Sequence, residues 1–143
     1  MKQVNIYTMT SCKGVRKTDG KIAYILEMPT EGEPVTLSKT ADVKSMTPNR
    51  AELVALIEAL HRMKESCALT IYTESRYIAS AFDKGWLVKW QDNGWQSSKG
   101  KEVACKEEWQ HLQELLKKHV YTIKVGEAHE YRSWLTNEVR KDR

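Results

Sequence analysis

The stretch from Thr47 to Met63 constrains this chain most, because it can be read in only one way. A hydroxyl residue, Thr47, is followed at once by Pro48. That is the pattern of a helix N-cap with proline at the first helical position, where its missing N–H costs nothing. Leu53, Leu56, Ile57, Leu60 and Met63 then recur at i, i+3, i+4, i+7 and i+10. They form one apolar stripe of a helix that must be buried against something else. Its partners flank it. Residues 4–10 (VNIYTMT), 21–28 (KIAYILEM) and 35–40 (VTLSKT) are strand-like on the N-terminal side, separated by the turn CKGVRKTDG, closed by Gly20, and by Pro29, Gly32 and Pro34. Three strands joined by short turns predict an antiparallel meander.

Beyond the stripe the pattern alternates. A strand is predicted over 68–74 (ALTIYTE), a short helix over 75–82, and a helix over 106–119 that carries Trp109, Leu112, Leu115 and Leu116 inward. A last strand over 120–126 (VYTIKVG) and a charged helix over 130–141 complete the chain. Helices alternating with the later strands predict a mixed sheet with helices on its faces. With 143 residues, no repeats and no long linker, the expectation is a single domain, residues 1–143.

Composition narrows the function classes. No apolar run approaches the roughly 20 residues that span a bilayer, so no membrane partner is expected. The start, MKQVNIYTMT, enters a strand directly and does not read as a secretory leader. Cys12, Cys67 and Cys105 have no paired spacing, and the histidines at 61, 111, 119 and 129 do not cluster with them. The cysteines read as thiols of a reducing, cytoplasmic setting, and a zinc site is not expected. The net charge of +4 permits a polyanionic partner. Lys99, Lys101, Lys106, Lys117, Lys118, Arg140, Lys141 and Arg143 lie in the second half.

Two features point to chemistry. Glu52 lies early in the long helix and Glu74 ends the fourth strand. Carboxylates from different elements at one sheet edge are where a divalent cation could sit, since Mg²⁺ takes one or two carboxylates and keeps several waters. Either residue could equally serve the fold alone, through the helix dipole or as a solvated strand end. The second feature is the run GWLVKWQDNGWQSSKGKEVACKEEW, in which Trp86, Trp90, Trp95 and Trp109 are interleaved with lysines. Tryptophans among cations suit stacking beside phosphate, or helix packing.

These segments resemble the bacterial type 1 ribonuclease H family over nearly the whole chain. TPNRAELVALIEAL is similar to the family's helix bearing a catalytic Glu, here Glu52. IYTESRYIASAF is similar to its strand-to-helix junction, with Glu74 at the place of a catalytic Asp. QVNIYTMTSC is similar to its first strand, and the tryptophan spacing to its basic protrusion. GWLVKW, NGW and HEYRSW further resemble a divergent Gram-positive branch. The resemblance implies an α/β ribonuclease H-like fold: a five-stranded mixed sheet with helices on both faces and a Trp/Lys-rich basic protrusion. It implies a monomer that hydrolyses the RNA strand of RNA/DNA hybrids by metal-assisted phosphodiester cleavage, with double-stranded RNA as a related ligand. It further implies Mg²⁺ or Mn²⁺, weakly bound, and substrate contacts at Cys12, Asn49, Arg76, Trp86, Lys89, Trp90, Lys99 and Lys101.

The chain departs from the pattern at its centre. Met9 stands where the family's first Asp belongs, and a thioether is a poor ligand for Mg²⁺. Lys13, Arg16 and Lys17 replace a Gly/Pro-rich turn. Glu74 is one methylene longer than the expected Asp. The loop GEAHEYRSW has no Asp, which leaves Glu130 as the expected further catalytic and metal carboxylate, Glu127 as the next choice, and His129 at the place of the family's loop histidine. Three functions therefore stand open: a divergent ribonuclease H, a nucleic-acid-binding module of that fold that has lost its metals, and a domain that binds protein through its tryptophans.

Overall fold

The computed structural model describes residues 1–97 and 99–141; Arg143, counted above among the basic residues, lies outside them. The first strand, β1 (Lys2–Thr10), becomes the centre of a five-stranded sheet. It pairs antiparallel with β2 (Thr18–Met28), which pairs antiparallel with β3 (Val35–Met46). On its other side β1 runs parallel to β4 (Cys67–Thr73), which runs parallel to β5 (Val120–Val125). The order is β3-β2-β1-β4-β5.

Two-residue alternation sorts the side chains of β1. Val4 and Ile6 join Leu69, Ile71, Tyr24 and Leu26 on one face. Tyr7 joins Ala23 and Ile25 on the other. The first face is covered by α1 (Pro48–His61), whose Leu53, Leu56, Ile57 and Leu60 are buried on it, and by α2 (Arg76–Asp83) through Ile78 and Ala81. α4 (Lys106–Leu116) inserts Trp109, Leu112 and Leu116 into the same core. The second face is covered by α5 (Arg132–Arg140), through Leu135 and Val139. Helices therefore occupy both faces, as the family resemblance implied.

The Thr47 cap is the one the sequence announces, and Ser75, expected as the first residue of its helix, is instead the cap of α2. Thr47 Oγ1 accepts from the Arg50 N–H at 3.3 Å, and Ser75 Oγ accepts from the Ile78 N–H at 3.2 Å. Elsewhere the boundaries differ for physical reasons. Gly20 does not close a turn; it lies inside β2 at a register shift, where an added Cβ would come within 2.7 Å of Ser11 Oγ and 2.9 Å of Cys12 Sγ. β3 runs on to Met46, six residues past its expected end. As an edge strand exposed along most of its length it needs no apolar alternation, only backbone pairing to β2. The helix expected to reach His119 stops at Leu116, and His119 instead turns back so that its Nδ1 accepts the Cys67 N–H at 3.0 Å. The last helix starts at Arg132, which leaves Glu130 in the preceding turn.

Between α2 and α4 the chain forms α3 (Trp86–Asp92), entered through Gly85 at φ 68°, a conformation that favours glycine. A loop closed by a bridge between Gln96 and Glu102 leads on to α4. Leu87 is buried, while Trp86, Trp90 and Trp95 are half-buried against the main core.

Candidate active site

β1 and β4 are parallel neighbours, so their carboxyl ends open together beside the first turns of α1. A groove of about 420 Å³ forms there. It is lined by Met9 and Cys12, by Asn49 and Glu52 from α1, by Glu74, Arg76 and Tyr77 from the β4–α2 junction, and by Arg132 and Thr136 from α5.

Glu52 is its buried carboxylate. It projects from the second turn of α1 into the gap between the two strand ends, where the Thr8 and Thr73 hydroxyls both donate to its Oε1, the latter at 3.3 Å. Burial raises its pKa above the ordinary carboxylate value; the two hydroxyls pull it back and the charge of Glu74 pushes it up again. Glu74 is more open, and its Oε1 stands 3.0 Å from Arg132 Nη2. Met9, on the same wall, accepts a contact from the Thr136 hydroxyl at its sulfur, 3.4 Å away.

The expected residues divide clearly. Glu52, Glu74, Cys12, Asn49 and Arg76 all line this groove, although Cys12 is buried with its Sγ 3.9 Å from the Thr18 carbonyl. Glu130 does not reach it. Because α5 begins two residues later, Glu130 stays in an exposed turn and lines a separate hollow with Glu31, Glu33 and Tyr131. Glu127, the second choice, is exposed and 3.9 Å from Lys124. Among the described residues no three His, Cys, Asp or Glu side chains converge as a metal cluster. The site therefore corrects the expected triad of Glu52, Glu74 and Glu130 to a pair.

His129 lies beside the groove and not in its lining. Its ring packs over Tyr7 at 4.5 Å and near Tyr72 at 5.7 Å, and its Nδ1 accepts the Tyr131 N–H at 3.2 Å. Burial lowers its pKa; Glu74 opposes that and Arg132 adds to it. Tyr131 is held in turn by Glu27, whose carboxylate also accepts from Asn5 at 2.8 Å and Tyr7 at 3.2 Å.

A second hollow, of about 530 Å³, is lined by Trp86, Lys89, Trp90, Asn93, Gln96 and Ser97. Tyr77 belongs to the first groove and its ring is 6.1 Å from that of Trp86; Trp90 follows at 6.0 Å and Trp95 at a further 6.1 Å. An aromatic ladder thus joins the two. Lys89, Lys99 and Lys101 are exposed on α3 and the loop beyond. Trp109 is not part of this surface: it is fully buried and donates from Nε1 to Tyr77 Oη at 3.0 Å.

Thr8, Thr73, Tyr77, Arg132 and Thr136 were not singled out from sequence. Thr8 and Thr73 do leave a trace, as polar residues at core-facing positions of strand ends. Arg132 and Thr136 leave none, because the pairing of α5 with this end of the sheet is not written in any local pattern.

Comparison with known proteins agrees with this architecture. Residues 1–139 match the RNase H family model. The ribonuclease H of Caldicellulosiruptor saccharolyticus is 39% identical over 129 residues, which cover 90% of this chain and 86% of that protein. That of Clostridium botulinum strain Hall is 39% identical over 128 residues, covering 87% and 83%. Among solved structures, LC9-RNase H1, described as a type 1 RNase H with the type 2 active-site motif, superposes with a TM-score of 0.76 at 21% identity, covering 96% of this chain and 70% of that one. LC11-RNase H1 in complex with RNA/DNA hybrid superposes at 0.63 with 17% identity, covering 95% and 96%.

Proposed function

This chain belongs to the ribonuclease H family, and we propose that it binds RNA/DNA hybrids across the groove and the tryptophan hollow and hydrolyses the RNA strand at Glu52 and Glu74. The observation that carries this reading is the arrangement of the two sites. A buried and an open carboxylate face one groove at the ends of β1 and β4, and the ladder from Tyr77 to Trp95 leads from it to a hollow bordered by Lys89. Stacking and cation contacts position a nucleic acid; the carboxylates act on it.

The family's chemistry uses divalent metal, and the donor set can be tested against that. Glu52 and Glu74 offer hard oxygens that suit one Mg²⁺ or Mn²⁺ completed by waters, whereas Met9 offers sulfur where a second ion would need oxygen. An ion held by Glu52 and Glu74 would supply activation of water and charge stabilisation at the leaving oxygen of the phosphodiester. The chain's own residues do the rest. Thr8 and Thr73 orient Glu52. Asn49 and Arg76, both exposed at the groove, contact the strands. His129, within the field of Glu74, serves proton transfer or product release. Trp86, Trp90, Lys89, Lys99 and Lys101 hold the flanking duplex. A weakly held ion follows from Glu74 being shared with Arg132.

The three free thiols suit a cytoplasmic, reducing setting. Among the described residues no helix is long and apolar enough to cross a membrane. The protein acts as a single domain and a monomer in this reading. The test is cleavage of a labelled RNA/DNA hybrid in Mg²⁺ and in Mn²⁺, beside binding at low salt. Slow cleavage of the RNA strand, lost in Glu52→Gln, is the expected result. Binding without cleavage in either metal makes this a non-catalytic module of the same fold, and absence of binding removes both readings.

A further inference from the structure

Arg132 opens α5 and points its guanidinium into the groove, 3.0 Å from Glu74 Oε1. One turn on, the Thr136 hydroxyl is shared between the Arg132 carbonyl at 2.8 Å and the Met9 sulfur at 3.4 Å. The start of α5 therefore closes the groove with the Arg132 cation against Glu74 and, through Thr136, with a contact to the Met9 thioether of β1. Met9 stands where the family resemblance calls for a carboxylate, and Arg132 reaches the groove that the expected Glu130 does not. The charged lining that results is Glu52 and Glu74 against Arg76 and Arg132, formally neutral. A groove ringed by carboxylates alone repels a phosphodiester until cations fill it; a neutral one does not.

Arginine suits the task that this leaves. Its planar fork has five N–H donors and cannot lose its charge, and Glu74 engages only one edge of it. The side chain is half exposed at the groove. We propose that Arg132 holds Glu74 and donates to a backbone phosphate of the bound strand, so that hybrid binding in the groove, as distinct from cleavage, does not require a divalent ion. The proposal rests on the groove being the hybrid site. In this arrangement a metal ion competes with Arg132 for Glu74.

The experiment is hybrid binding followed by fluorescence anisotropy in EDTA across a salt series, for the native protein, Arg132→Gln and Arg132→Lys. The native protein should bind in EDTA. Arg132→Gln should bind roughly five- to twentyfold more weakly, with a salt slope shallower by about one unit, the mark of one lost phosphate contact. Arg132→Lys should keep the slope, because the charge remains, and recover only part of the affinity, because the fork is gone. A second readout is melting temperature against Mg²⁺ concentration. Freed of its partner, Glu74 in Arg132→Gln should respond to less Mg²⁺ than in the native protein. Native binding that vanishes in EDTA and returns with Mg²⁺ overturns the proposal. So does native binding in EDTA with Arg132→Gln unchanged in both slope and affinity, and that result leaves the groove as the hybrid site. If the native protein binds no hybrid in any buffer, the functional reading falls and this one with it.

Discussion

Glu52 is placed where ionising it is costly, between two strand ends with hydroxyls on one oxygen and Glu74 nearby. Its folded pKa is raised, so the folded state keeps the proton to higher pH than the unfolded chain does. Stability that is fully present below the ordinary Glu range is then lost as pH rises through the raised folded value. Glu52→Gln keeps an acceptor for Thr8 and Thr73 without the charge. We expect it to melt higher than the native protein at pH 7. The gap should close on acidification below pH 4, and cleavage should be abolished. Equal melting of the two proteins across pH 4 to 8 would mean that the carboxylate is more solvated than its burial indicates. Met9→Asp tests the opposite change. A third carboxylate beside Glu52 and Glu74 should lower stability in EDTA by about 1–2 kcal/mol and recover with Mg²⁺ or Mn²⁺. A variant whose melting ignores metal would show that position 9 does not converge with the other two.

At the scale of elements, α3 and α4 do different work although both carry tryptophan. Trp109 on α4 is enclosed by Tyr77, Phe82 and Trp90, so Trp109→Ala should cost about 3–5 kcal/mol. Trp109→Phe should cost less, leaving the Tyr77 hydroxyl without the indole donor. Lys99 and Lys101 sit on the exposed loop between the two helices. Reversing both to Glu should leave the melting temperature within about 1 °C, because exposed charges contribute little to stability, while hybrid affinity drops and its salt dependence flattens. Thermal melts and anisotropy on the same samples separate these outcomes. Collapse of the fold in the lysine variant would make the loop a structural strap.

For the whole molecule, the two faces of the sheet serve unlike ends. The face under α1, α2 and α4 holds most of the apolar core, with Glu52 at its edge. The face under α5 carries the Tyr7, Tyr72 and Tyr131 cluster that seats His129. If the hybrid lies as proposed across the groove, the tryptophan hollow and the lysine loop, affinity should fall steeply with salt, with a log–log slope of about −0.9 for each phosphate neutralised on a B-like duplex. A slope near zero with retained affinity would point to binding through the aromatic ladder alone.

Short-range chemistry is legible in the sequence. The Thr47–Pro48 cap and the stripe from Leu53 to Leu60 are local rules, so the helix and its buried face could be read directly, and Glu52 came with them. Strand alternation in β1 and β4 likewise brought Glu74 to the end of a strand. Where backbone pairing overrides side-chain pattern, the reading stopped short: β3 extends to Met46 because β2 supplies its hydrogen bonds, and Gly20 sits in β2 because it pairs with Val43, with Ser11 and Cys12 crowding the place of a Cβ. The membership of the site lay beyond local pattern altogether. Whether Glu130 or Arg132 reaches Glu74 depends on where α5 begins and on how it packs against β1 and β2, a contact between segments more than a hundred residues apart. Sequence periodicity reports which face of an element is buried. The direction in which a turn residue points is set by the packing of the elements around it.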